Sequence, residues 1–183
     1  MAMLIAGTTL SLPILTRNIH QAPVDRYTQN LESGLFSLRA KLGTSKSSCT
    51  LKFPTANEFT EPWKVVEFKQ PDGTTSGLNR VECCNSTDGC FNNPSYRLTS
   101  LEGTPESKEV LVNSQQTEFM MSPPGTSTSE SNLTLLIRST RSNQSNQVNS
   151  FGNSRLRTRC LEVSGSGSIL RGTWDSQQGR CIS

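Results

Sequence analysis

From Val24 onward the apolar positions recur at helical spacing. Val24, Tyr27, Leu31, Leu35, Leu38 and Leu42 are separated by 3, 4, 4, 3 and 4 residues, which aligns them along one stripe of an α-helix. Asp25, Arg26, Gln29, Asn30, Glu32 and Arg39 fall on the other faces. The stripe predicts an amphipathic helix over residues 23–43 that packs on a sheet through those six apolar residues. Pro23 suits its start or a kink between two helical halves, and Gly43 suits its C-terminal stop. Ahead of it, Met1–Leu15 carries no charge. The run is shorter than the roughly 20 residues of a spanning helix and lacks the basic start of a secretory signal. Residues 1–22 are therefore expected to form the latter part of an apolar helix, in a bilayer or a fibre core, whose beginning is missing. The alternative is a buried core helix. Pro13 costs about 3 kcal/mol inside a soluble helix and is better tolerated in a membrane. Arg17, Asn18, His20 and Gln21 mark the exit into water.

The pattern then changes from helical to alternating over residues 48–183. Cys49, Leu51 and Phe53 alternate with Thr50 and Lys52 as in a half-buried strand. Further strands are expected at Trp63–Phe68, Gly77–Cys83, Tyr96–Leu101, Glu109–Val112, Thr117–Met121, Asn132–Arg138, Leu156–Val163 and Ile169–Trp174. Gln70-Pro71-Asp72-Gly73 is a turn, which makes Gly77–Cys83 the hairpin partner of Trp63–Phe68. Ser122-Pro123-Pro124-Gly125 breaks the chain, and Gly165-Ser166-Gly167 turns it. Gly165, Gly167 and Gly172 read as hairpin glycines. Gly103–Lys108 and Ser139–Ser154 are polar and read as exposed loops. The fold class is thus α+β: a long N-terminal helix, apolar and then amphipathic, packed on a mostly antiparallel β-sheet domain.

Composition sharpens this picture. Of 183 residues, 32% are hydrophobic and 6% aromatic, with a net charge of +3; the core is thin and the loops polar. The six cysteines, Cys49, Cys83, Cys84, Cys90, Cys160 and Cys181, lack repeated CxxC spacing, so a zinc site is unsupported. An even number in a weakly cored domain favours disulfides and an oxidising, extracytoplasmic compartment; six reduced, partly buried thiols are the alternative. Cys160 and Cys181 bracket the last hairpin, where a bridge is worth about 3 kcal/mol by loop closure. One of Cys83 and Cys84 can bond Cys90 and the other Cys49.

Enzyme chemistry is not indicated, and no cofactor is expected. His20 is the sole histidine, and a Ser-His-Asp triad would have to recruit it. Phosphate-binding glycine motifs are absent. The one charged feature is basic. Arg155, Arg157 and Arg159 alternate and project from one face of a strand, and with Arg171 they form a candidate phosphate-contacting row. The alternative is a solvated, solubilising face.

Three segments carry a resemblance: the uncharged start MAMLIAG with Pro13 downstream; LESGLFSLRAKLGTSKSSCTLKF, Leu31 to Phe53; and RCLEVSGSGSILRGTWDSQQGRC, Arg159 to Cys181. Their order resembles the type IV pilin superfamily, more narrowly the minor pseudopilins of the type II secretion GspH class and their FimT-type pilus relatives. The resemblance implies a structural subunit of a type IV pilus or type II secretion pseudopilus. Such a subunit is single-pass in the inner membrane through its N-terminal helix, displays an extracytoplasmic domain and assembles with other pilin or pseudopilin subunits. In FimT-type relatives a basic C-terminal segment is linked to DNA uptake, which makes DNA a possible partner and Arg171 the position to watch. The prepilin peptidase motif, a Gly followed by Phe-Thr and a nearby Glu, is missing, which places Met1 within the membrane helix. The rival reading is a membrane-anchored extracytoplasmic domain of unrelated fold.

Overall fold

The computed structural model describes residues 2–54, 58–70, 72–75, 81–83, 96–127, 129, 131–142 and 156–182, with the side chains of 2–17 and of Cys83 left out. The fold is α+β, a long helix with two antiparallel sheets. Helix α1 spans Ala2–Ser45. It runs unbroken through Pro13 and Pro23, across the boundary expected near residue 22. It also passes Gly43, the expected stop. Lys46, with φ of 52°, supplies the left-handed residue that ends the helix. Among the described residues, no helix is long and apolar enough to cross a membrane.

The smaller sheet runs in the order β2-β1-β4-β5, from β1 (Cys49–Lys52), β2 (Val81–Cys83), β4 (Glu118–Ser122) and β5 (Thr126–Ser127). The larger runs β3-β6-β7-β8-β9, from β3 (Val110–Ser114), β6 (Leu133–Ser139), β7 (Arg159–Val163), β8 (Ile169–Asp175) and β9 (Arg180–Ile182). The six stripe residues of α1 are all fully buried. They share one core with Val110, Val112, Leu133, Leu135, Ile137, Leu161 and Val163 of the larger sheet and Leu51, Phe119 and Met121 of the smaller. Alternate residues of β6 and β7 thus face the helix, as the period of two requires. On the opposite face a second small cluster holds Leu136, Cys160 and Cys181 with Phe59 and Trp174.

Further expectations fail. Trp63–Phe68 is not a strand; of its expected hairpin partner Gly77–Cys83, residues 77–80 lie outside the described residues and Val81–Cys83 pairs elsewhere. Instead α2 (Pro62–Val65) makes one turn, because Pro62 presets helical φ at its first position. Val66 and Glu67 N–H both bond the Pro62 carbonyl at 2.8 and 3.0 Å. That turn buries Val65, Val66 and Glu67 in succession, which an alternating strand cannot do. β2 pairs with β1, Cys49 opposite Cys83. Tyr96–Leu101 forms no strand but lies against α1. Gly103–Lys108 is not simply an exposed loop: Thr104 caps α3 (Pro105–Lys108), and Ser107 is buried.

Gly172, a glycine within the strand expected at Ile169–Trp174, sits inside β8 opposite Cys160. Cys160 and Cys181 are disulfide-bonded with Cα atoms 5.8 Å apart, although β8 lies between their strands. Two strand spacings would be about 9.5 Å, so β9 leans over β8. A Cβ on Gly172 would overlap the Ile182 carbonyl oxygen and meet Cys181 Sγ at 3.0 Å. The bare backbone therefore lets the bridge cross. Cys49 is also disulfide-bonded; Cys84 and Cys90 lie outside the described residues.

Candidate functional site

The polar contacts of α1 fall on two flanks of its buried stripe. One flank meets the C-terminal hairpin. Asp25 accepts from Arg159 Nε at 2.6 Å, and Arg159 also donates to Thr173 Oγ1 at 2.8 Å. Two turns further along, Glu32 pairs with Arg171 at 3.0 Å. Toward the N-terminal end, Gln21 accepts from the Arg157 backbone N–H at 2.9 Å and donates to its carbonyl at 3.3 Å. His20 Nε2 lies 3.4 Å from Arg141.

These contacts redistribute the arginine row. Arg159 is the first residue of β7, and Arg157 precedes the strand. Arg159 and Arg171 turn to helix carboxylates, Arg157 keeps an exposed side chain, and Arg155 lies outside the described residues. The helix carboxylates Asp25 and Glu32 are thus ion-pair partners that a search for basic residues alone passes over. Their spacing of seven on one helix face was the available signal. A groove of about 390 Å³ runs between α1 and the hairpin, lined by Asp25, Thr28, Gln29, Arg159, Arg171, Gly172, Thr173 and Ile182. A second, of about 550 Å³, is lined by Arg157, Trp174, Asp175 and Gln177 among others.

The other flank meets Glu67 and the residues from Tyr96 to Ser107. Asn30 Oδ1 accepts from Thr99 Oγ1 and Ser100 N, both at 2.8 Å, and so supplies what a strand ladder would. Tyr96 Oη donates to the Gly34 carbonyl at 3.1 Å. A Cβ on Gly34 would overlap the Leu98 carbonyl oxygen. Deeper in, Glu67 accepts from Tyr27 Oη at 2.9 Å and Ser107 Oγ at 2.6 Å. Burial pushes the Glu67 carboxyl up to about 7, and the hydroxyl donors only partly oppose this. Burial, then the Glu67 charge, also raises the Tyr27 phenol. Glu102 is raised by burial as well, against the Phe68 N–H and the Arg97 charge.

Among the described residues no group of three His, Cys, Asp or Glu side chains is placed to hold a metal ion. The arrangement is one of adhesion: a helix bolted to a domain by apolar packing, rim ion pairs and one buried polar cluster.

Comparison with known proteins is sparse. No family model matches the chain, and no curated protein matches it. Among solved structures, it is similar to the crystal structure of the type IV minor pilin FimU of Pseudomonas aeruginosa strain PAO1. That likeness has a TM-score of 0.40 at 11% identity, over 86% of this chain and 92% of that one.

Proposed function

We propose that this chain is a pilin-like structural subunit, a minor pilin or pseudopilin of a type IV pilus or type II secretion pseudopilus. One observation carries the reading. The fully buried stripe that anchors α1 to the domain runs from Val24 to Leu42, while the helix runs from Ala2 to Ser45. The 22 residues from Ala2 to Pro23 extend roughly 33 Å at 1.5 Å per residue. In this reading the uncharged Met1–Leu15 run packs against the same segment of neighbouring subunits, in a bilayer before assembly and in a fibre core after it. The domain is displayed outside the cytoplasm, where its disulfides persist.

Photo-crosslinkers at Ile5 and Leu10 of the full chain, in cells that carry a pilus or pseudopilus, test this. Adducts with other pilin-like subunits are expected. A chain recovered only as an uncrosslinked monomer overturns the reading.

DNA contact is the second reading, and the groove lined by Arg157 and Trp174 favours it, since a single strand is bound through cations and aromatic side chains sharing one groove. Arg159 and Arg171 would first have to leave Asp25 and Glu32. Binding to a single-stranded oligonucleotide should weaken steeply with salt and fall in Arg157→Ala; binding that is absent, or indifferent to salt, removes this reading.

A further inference from the structure

Glu67 has no evident part in the proposed assembly, yet it is the most unusual charged group in the domain. It is 1% exposed and sits where three elements meet. Tyr27 reaches it from α1 and Ser107 from α3, while Glu67 itself follows α2, its N–H held by the Pro62 carbonyl. Both hydroxyls converge on the same oxygen, Oε1. Among the described residues no Lys, Arg or His stands within ion-pair range of it.

The other charges around the cluster do not compensate. Glu102 brings a second carboxyl with only 3% of its side chain exposed, and its cation, Arg97, is distant at 3.7 Å and half exposed. Lys69 acts on Glu102 rather than on Glu67. Arg26 of α1 is drawn to Glu106 on the surface at 3.6 Å. A carboxylate taken out of water without a cation is driven toward its neutral form, and as a neutral acid it still accepts both hydroxyls.

We propose that the Tyr27–Glu67–Ser107 contact, backed by Glu102, is an acid-tightened latch that holds the segment from Tyr96 to Glu109 against α1. The sign follows from linkage. With the latch closed Glu67 holds its proton up to about pH 7. Once opened to water it releases that proton near the ordinary carboxyl value of about 4.3. Between those limits opening releases a proton, so opening becomes more favourable as pH rises. Above about pH 7 the group is charged in both states and the effect levels off.

Hydrogen exchange of the full chain, as protection factors for amides 98–109, reads the latch directly. Opening should increase on the order of tenfold per unit between pH 5 and 7 and flatten above about 7.5. Glu67→Gln should remove most of that slope, leaving the smaller part due to Glu102. Carbon NMR of the wild-type carboxyl gives a measure that does not depend on any variant folding: a Glu67 midpoint near 7 is expected. Ser107→Ala should move that midpoint upward, because the lost hydroxyl favours the charged form. A Glu67 midpoint in the ordinary carboxyl range, protection independent of pH, or an unchanged slope in Glu67→Gln would each overturn the proposal.

Discussion

The two flanks of α1 hold it by opposite physics. Toward the C-terminal hairpin the contacts are charged and partly wet: Asp25–Arg159 and Glu32–Arg171. Toward Glu67 and the residues from Tyr96 to Ser107 they are largely neutral: part-buried to exposed where Asn30 meets Thr99 and Ser100, and dry where Gly34 lies under Leu98 and Tyr27 on Glu67. Rim ion pairs exchange water for one another and contribute little net stability. Close backbone approach and buried polar groups have no water to fall back on, so losing them is costly. The dry contacts therefore set where the helix sits.

Gly34→Ala tests the dry flank hardest. The new methyl would overlap the Leu98 carbonyl, and backbone cannot swing aside as a side chain does. A loss of about 3 kcal/mol is expected in urea unfolding; a loss below 1 would show that the segment floats. Breaking the Cys160–Cys181 bridge in Cys160→Ser should cost about 2 to 3 kcal/mol. The damage should concentrate on the wet flank, because β9 is tied down through that bond. Exchange protection in β8 should then fall more than protection at residues 98–101.

Acid should strengthen the dry flank selectively. Glu67 binds a proton in the folded state up to about pH 7, whereas the unfolded chain releases it near 4.3. The folded state therefore binds more protons between those values, and stability falls as pH rises through the window. From pH 5 to 7 the loss from this group is about 2 kcal/mol, read as the difference between wild type and Glu67→Gln. The smallest effect belongs to Asp25→Asn, expected below about 1 kcal/mol and smaller still in high salt. If Asp25→Asn proved as costly as Gly34→Ala, the contrast between the flanks would collapse.

The six-residue stripe was legible because a helix repeats on itself, and burying one face needs no knowledge of what lies opposite. β1, β6 and β8 were legible for the same reason, as was the turn at Gly165–Gly167. The WKVVEF run misled because β-branched residues carry a weak strand preference, which Pro62 and the burial of three consecutive residues override. Gly172 read only as a hairpin glycine, and its need to be bare was hidden for want of the one fact that explains it, a disulfide crossing overhead.

Local periodicity and residue chemistry, then, decided that this chain makes a long helix, which face of it is buried, and that its later part is β-rich and disulfide-bearing. Those properties depend on neighbours within a turn or a strand. Tertiary structure alone decided that β2 joins β1, that Arg159 and Arg171 answer Asp25 and Glu32, that Gly34 and Gly172 must stay bare, and that Glu67 is left without a cation. Each of these joins residues at least nine positions apart, and most join residues far more distant. Which of many polar or small residues meet there is settled only when the sheets close on the helix and exclude water.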